Sequence, residues 1–347
     1  MKVGIKDVAA AAGVSITTVS HTLNHTEGKR VSPETRRRVQ RVAEELGYTP
    51  NHVGRSLRLQ RTQTVALMGH RIATTPFVGD LIRGAQAGAR EHGAALFVLD
   101  ASGDPAEVER EATLLVQRQV DGVLFAAWFH QEVQVPRALQ PASTVLVDAV
   151  CSDKAYSSVV PDEQAGGRAA ATELIAAGHR RVAFVNGEPD VLAARGRERG
   201  FRAECRAAGL TDVVVVNTVS STRGGYATGL TLLATQRPTG VFCYNDRVAM
   251  GVYQAAAELR LRIPDDLSVV GFDNQELIAD ALRPALTSVA LPHHAMGHWA
   301  VRQLYAQLNE PVTGSAVVQA VLQGPVVRRS SVAPPPSGST AASGVKG

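Results

Sequence analysis

The chain has 347 residues, 45% of them hydrophobic and 20% charged, and a formal net charge of +4. That length is ample for a large core and exceeds one average domain, while no apolar run approaches the length needed to cross a bilayer; a membrane-spanning class is excluded, and a soluble globular protein is described. Cys151, Cys205 and Cys243 are odd in number, far apart in the chain and flanked by apolar residues. They read as reduced, buried thiols rather than a disulfide frame or a zinc site, and with no signal-peptide core near Met1 the expected location is the cytoplasm.

The first sixty residues organise the rest. Asp7 to Ala12 is an alanine-rich helical run that stops at Gly13, where a residue without Cβ can turn sharply, and Ser15 stands where an N-cap hydroxyl would serve a second helix, Val14 to Asn24. Two short helices across a glycine turn form a helix-turn-helix, whose second helix lies in the major groove. Ser15, Ile16, Thr17 and His21 then face base edges, while Val14, Val19 and Leu23 face inward. After a polar loop, Ser32-Pro33-Glu34-Thr35 is a strong helix start: a capping hydroxyl, proline in the first turn and an acid beside it. The third helix should run to Leu46, stop at Gly47 and pack Val39, Val42, Ala43 and Leu46 on the first two, completing a headpiece over 1–48.

Charge divides unevenly. Residues 1–62 hold 3 Lys and 8 Arg against 1 Asp and 4 Glu, a net of +6, which leaves −2 for residues 63–347. Positive charge confined to the end that already reads as a DNA module attracts phosphate and makes affinity salt-dependent. The Arg36-Arg37-Arg38 run alone is equally consistent with a solvated helix face. Residues 49–62 form a hinge segment, with His52 to Arg58 as a short fourth helix capped by Asn51. Seven residues are marginal as a helix in water, and Gly54 costs roughly 1 kcal/mol more relative to alanine. Ordering only on DNA is therefore expected, with Leu57 as a minor-groove wedge and Arg55 or Arg58 on phosphate; an ordinary linker is the bland reading.

From Val65 the chain alternates strands and helices: strands at 64–68, 95–99, 122–125 and 144–147, with helices at 77–92 and 105–119. A second series starts near Val160, with helices at 164–177, 195–208, 224–234 and 247–259 and strands at 182–186, 213–216, 240–244 and 268–272. The fold class is therefore α/β: after the headpiece and hinge comes a core over 63–331 made of two lobes of parallel sheet flanked by helices, with a ligand between them at the carboxyl ends of the strands. Lobe one takes about 63–160 and 291–325, lobe two about 161–290. Leu286 to Leu291 is read as crossing back to lobe one, followed by a helix at 294–308 and a strand at 317–322. Residues 332–347, rich in Pro, Ser and Gly, read as a disordered tail.

IKDVAAAAGVSITTVSHTLN, VSPETRRRVQRVAEELGYTPNHVGRSLR, TPFVGDLIRGAQAGARE, GHRRVAF, YNDRVAMG, IPDDLSVVGFDN and RPALTSV, in that order, resemble the lactose-repressor/galactose-repressor family of bacterial transcription regulators, from Ile5 to about Val327. The resemblance implies an operator-binding homodimer on a pseudo-palindrome, with a periplasmic-binding-protein-like core that senses a small molecule. It puts base reading on Ile16, Thr17 and His21, phosphate contacts on Ser15, Thr18 and Asn24, and the minor-groove lever on Leu57. His21 departs from the usual arginine and Gly54 from the usual alanine. For the effector it implies Phe77, Asp148, Arg197, Asn245, Asp246 and Asp273, groups that suit a polyhydroxylated ligand, a sugar or a nucleoside-like molecule. Where family members often carry an aromatic residue this chain has Ser220-Ser221, which leaves ring stacking to Phe77 or Trp128.

Other classes fare worse. The sequence has no Gly-rich phosphate loop, no Gly-x-Ser-x-Gly elbow and no paired-cysteine motif, so no catalytic residue, metal or cofactor is expected. His294 and His298 sit one helical turn apart but lack an acidic or cysteine partner nearby in sequence. A transport solute-binding protein would share the core, yet the headpiece and the missing signal peptide oppose it.

Overall fold

The computed structural model describes residues 3–23, 31–48, 61–70, 78–101, 103–140, 142–309 and 317–336. By its contacts the chain forms two compact units, Met1–Thr62 and Gln63–Gly347.

The first unit contains α1 (Ile5–Ala12), α2 (Ile16–Leu23) and α3 (Pro33–Glu45). Gly13 ends α1 at φ 62° and ψ 39°, the left-handed conformation that carries no Cβ penalty in glycine. The Ser15 hydroxyl accepts from Thr18 N at 3.1 Å and Ser32 from Thr35 N at 3.2 Å, so both helices start on the expected caps. Val8, Ala9, Ala12, Val19, Val39, Val42 and Ala43 make the small core, with Val14 and Leu23 packed against it. Leu46 departs from the expected stripe: it lies beyond the last helical residue and is exposed, and Tyr48 packs on the core instead.

The second unit runs through β1 (Thr64–His70), α4 (Val78–Glu91), β2 (Ala95–Ala101), α5 (Pro105–Gln117), β3 (Gly122–Glu132), β4 (Thr144–Val150) and β5 (Ser157–Pro161). It continues through α6 (Glu163–Ala176), β6 (Val182–Asn186), α7 (Leu192–Ala207), β7 (Val214–Asn217), α8 (Thr222–Thr235), β8 (Gly240–Cys243), α9 (Asp246–Glu258), β9 (Ser268–Asp273), α10 (Glu276–Ala279) and β10 (Thr287–Ala290). α11 (His293–Asn309), β11 (Gln319–Leu322) and β12 (Val326–Val327) follow. Two six-stranded sheets result, ordered β11-β5-β4-β3-β1-β2 and β12-β10-β9-β8-β6-β7, parallel throughout except for β12. Such sheets need both faces covered, and the strand interiors are accordingly continuous apolar runs such as Val65-Ala66-Leu67-Met68.

Lobe two centres on Phe184, Phe201, Phe242 and Phe272, with Phe184 and Phe242 stacked at 4.3 Å between ring centroids. In lobe one, α4 and α11 approach so closely that a Cβ on Gly84 would stand 1.9 Å from the His294 carbonyl oxygen. Only glycine fits that crossing.

Two boundaries differ from the sequence reading. Leu286 to Leu291 does not cross back: β10 pairs in parallel with β9 inside lobe two, and the crossing follows it. Residues 332–336, expected to belong to a disordered tail, are tied down: Ala333 N donates to Ser268 Oγ at 3.0 Å, its carbonyl lies 3.0 Å from His179 Nε2, and Val332 packs on the lobe-two core; the rest of the expected tail lies outside the described residues. All three cysteines are free; Cys205 and Cys243 are buried, whereas Cys151 is only half-buried.

Candidate functional site

On the first unit, α2 turns Ile16 and Thr17 outward, Ile16 keeping 44% of its surface exposed. Val19 and the fully buried Thr22 form the opposite, packed face of the same helix. His21 and Thr18 are half-buried on the same helix. The Ser15 hydroxyl is engaged with both the backbone and the side chain of Thr18, so any phosphate contact shares it with the cap. Asn24, Arg55, Leu57 and Arg58 lie outside the described residues, as does Phe77 of the effector set.

In the second unit, a cleft of about 450 Å³ opens between the two sheets. Its lining comes from the carboxyl ends of strands: Trp128, Phe129 and His130 from β3, Asp148 from β4, Val219 and Ser220 after β7, Tyr244 and Asn245 after β8, and Asp273 from β9; Glu163, Glu188, Val191, Arg197, Arg247 and Leu291 complete it. This is where α/β sheets expose backbone ends and loops to ligands.

Arg197 is only 4% exposed and organises the lobe-two wall. Its Nε donates to Glu163 Oε2 at 2.7 Å and its Nη1 to the Tyr244 carbonyl at 2.6 Å, while Asp273 Oδ1 lies 3.7 Å from Nη1. The guanidinium stacks on the Phe272 ring, 3.6 Å from its centroid. Burial pulls against its charge, but Glu163 and Asp273 outweigh burial and hold it firmly protonated. Asn245 caps α9, accepting from Val248 N at 2.9 Å, and its amide donates to Ser220 Oγ at 2.7 Å.

Asp148 sits in the left-handed region at φ 55°, a strained place for a non-glycine residue and one often found at ligand sites. One of its oxygens lies 3.2 Å from His293 Nε2; the other, Oδ1, is buried with no hydrogen-bond partner among the described residues. His130 Nδ1 and Arg247 Nε are buried and unsatisfied in the same way, and both residues line the cleft. Orphaned buried polar atoms are rare enough in native proteins that several around one cavity mark it as built for an occupant.

Asp148, Arg197, Asn245 and Asp273 are thus brought together as expected. Asp246 is not: it is fully buried behind the cleft, one oxygen accepting from Ser288 Oγ at 2.6 Å and the other from Gln275 N at 2.6 Å. As the first residue of α9 it points away from the opening that its neighbour Asn245 faces. Burial, with Asp273 adding to it, pushes its carboxyl up to about 8. His130, Glu163, Glu188, Tyr244 and Arg247 are polar cleft residues that sequence reasoning missed. The YNDRVAMG string contains Arg247, but a charged residue in the first turn of a helix reads first as a solvated group.

Residues 4–51 match the family described as bacterial regulatory proteins, lacI family, and residues 171–332 match a periplasmic binding protein-like domain. The chain is 35% identical over 303 residues to the HTH-type transcriptional regulator DegA of Bacillus subtilis (strain 168), covering 86% of this chain and 89% of that protein. It is 34% identical over 312 residues to the ribose operon repressor of Escherichia coli (strain K12), covering 88% and 93%. The chain belongs to the lacI family. Among solved structures, a lac repressor dimer bound to operator and the anti-inducer ONPF superposes with a TM-score of 0.76 at 25% identity, over 96% of this chain and 100% of that one. As a lacI-family member the protein is a DNA-binding transcriptional regulator and not an enzyme, and the transport-protein alternative falls with the match over the headpiece. No helix among the described residues is long and apolar enough to cross a membrane.

Proposed function

We propose that the protein is a cytoplasmic repressor that binds a pseudo-palindromic operator as a homodimer and is released by an uncharged polyhydroxylated effector, a sugar or a nucleoside-like molecule, held in the cleft. The carrying observation is the set of unsatisfied buried atoms on Asp148, His130 and Arg247 around one cavity. They offer an acceptor and two nitrogen sites to a ligand rich in hydroxyls. A phosphorylated ligand fits poorly, because Asp148, Glu163, Glu188 and Asp273 outnumber Arg197 and Arg247, and Arg197 is already engaged.

On the operator, Ile16, Thr17 and His21 read bases, Ser15, Thr18 and Asn24 hold phosphate, and Leu57 enters the central minor-groove step between Arg55 and Arg58. Histidine in place of the usual arginine offers one ring nitrogen at a time, so a bidentate guanine contact is lost at that position. The relatives' names, a ribose operon repressor and a lac repressor, support a carbohydrate effector.

The test is a melting screen of the purified full-length protein against neutral monosaccharides, disaccharides, nucleosides and their phosphates, followed by operator retention with each hit. Neutral hits that raise the melting temperature and release DNA support the reading. Hits confined to phosphorylated or cationic compounds, or hits that leave DNA retention unchanged, overturn it.

A further inference from the structure

The turn that carries Asp273 into the cleft is built against its backbone's preference. Asp273 stands at φ 92° and Asn274 at φ 52°, two successive residues with side chains in the left-handed region, where such residues persist only when their surroundings hold them. The holding groups are buried behind the cleft. Asn274 N donates to Ser288 Oγ at 3.1 Å and Gln275 N to Asp246 Oδ2 at 2.6 Å, while the Ser288 hydroxyl donates to Asp246 Oδ1 at 2.6 Å. Gln275 then reaches back to the cleft: its Nε2 donates to Asp273 Oδ2 at 3.0 Å, and the other oxygen of that carboxyl lies 3.7 Å from Arg197 Nη1. Gly271 leaves the room this needs, since a Cβ there would stand 2.3 Å from Asp246 Oδ1.

One buried carboxyl therefore ties together three stretches that each reach the cleft. Asp246 lies between Asn245 and Arg247 at the start of α9, its Oδ2 holds the turn that follows β9, and through Ser288 it holds β10, which leads to Leu291.

We propose that Asp246 and Ser288 are positioning residues of the effector site: without touching the ligand, they hold the turn at 273–275 so that the Asp273 carboxyl faces the occupant of the cleft. This rests on the reading of the cleft as the effector site. It has a consequence for charge. An anion at Asp246 stands behind Asp273 and drives that carboxyl to take a proton or leave its place, so the effector binds best while Asp246 is neutral. The groups that face Asp246 are Asp273 from β9, Cys243 from β8, Tyr253 from α9 and Arg329 from the segment after β12; Asp273 in turn faces Arg197, Arg247 and His293. Burial holds the Cys243 thiol and the Tyr253 phenol well above their usual values, and Arg329 is paired with Asp280. Asp246, pushed up to about 8 chiefly by burial, titrates across the range where those groups do not. His293 keeps its titration in Asp246→Asn, which tells the two apart.

The full-length protein is titrated by calorimetry with D-ribose, D-glucose, D-galactose, cellobiose and adenosine at pH 7, 8 and 9. A probe that binds should lose affinity in the native chain above about pH 8, by up to roughly tenfold per pH unit for one proton, whereas Asp246→Asn, which has no proton to lose, should keep a level profile. Ser288→Ala, which leaves Asn274 N without its acceptor, should weaken the probe roughly tenfold at pH 7. A level native profile, a slope that persists in Asp246→Asn, or native-like affinity in Ser288→Ala overturns the proposal and leaves the carbohydrate reading standing. If no probe binds at any pH, the carbohydrate reading fails, and amide hydrogen exchange on the ligand-free chain decides the clamp. Corrected for intrinsic rate, the Asn274 and Gln275 amides should lose protection from pH 7 to pH 9 in the native chain and not in Asp246→Asn; equal protection in the two overturns it.

Discussion

Asp246 carries a testable consequence of being buried as a carboxyl. Its folded pKa of about 8 lies above the ordinary 3.8, so the folded state holds a proton that the unfolded chain releases. The stability this contributes is fully present below about pH 4 and is lost as pH rises to about 8. Asp246→Asn removes the titration, so its melting temperature relative to the native chain should climb steadily between pH 5 and pH 8. Parallel curves over that range would show that Asp246 does not titrate there. Arg197 poses a different problem. An arginine aimed into a cleft invites the expectation that Arg197→Ala silences the effector response and nothing else, yet Glu163 is buried against it. Deleting the cation strands that carboxylate, and about 3–5 kcal/mol of destabilisation is expected in urea melts. The double change Arg197→Leu with Glu163→Leu should lose less than the single one; a larger loss would mean the pair is not the source. At this scale the sequence was partly legible. The family-like strings named Asp148, Arg197, Asn245 and Asp273, which line one cleft, and also Asp246, which does not, because adjacent residues at a helix start, one facing the cleft and one facing the core, look alike in a linear motif. Glu163 was illegible for a related reason: an acid in the first turn of α6 reads as a partner of the helix dipole, and only the fold brings Arg197 to it.

Among the elements, most helices and buried strands were readable to within a few residues, because caps such as Ser32 and apolar runs such as Val182 to Val185 are local signals, while β5, α10 and β12 were not read. Nor was the bulge in β3. The sequence reading ends this strand at Phe125, whereas β3 runs on to Glu132, and the slip that sets Ala127 to His130 opposite Asp148 depends on pairing with β4, which is not written in either segment alone. The stretch from 332 to 336 misled in the opposite direction: its run of three prolines suggests disorder, whereas the bonds at Ala333 are made by Ser268 and His179, more than sixty residues away. The contact of α4 with α11 gives the prediction at this scale. Gly84→Ala places a methyl against the His294 backbone carbonyl, which cannot swing aside as a side chain would. Overpacking of this kind should cost about 1–3 kcal/mol in urea unfolding. A neutral result would mean the two helices separate freely, and would weaken any account in which lobe one moves as a rigid piece.

For the molecule as a whole, charge and linkage set what regulation must look like. The net of +6 on residues 1–62 against −2 on the remainder puts the phosphate-seeking charge on one unit and the effector cleft on the other. Operator affinity should therefore fall steeply with salt, by roughly 10³ to 10⁵ between 50 and 200 mM for a dimer meeting 6–10 phosphates. Effector affinity should scarcely change with salt for the uncharged ligand proposed above. This difference separates the two equilibria experimentally, and they must still be linked. If the effector lowers operator affinity by some factor, saturating operator must lower effector affinity by the same factor, whatever structural path connects the units. The measurement is a pair of titrations with the effector found in the melting screen: operator binding with and without effector by fluorescence anisotropy, and effector binding with and without operator by isothermal titration calorimetry, both at one salt concentration. Equal factors above about fivefold establish a ligand-controlled repressor, and a second pair at higher salt should shift both operator curves together while leaving the factor nearly unchanged. A factor of one in both directions would mean that the cleft ligand binds without controlling DNA, and the regulatory reading of the cleft would be lost even with both affinities intact.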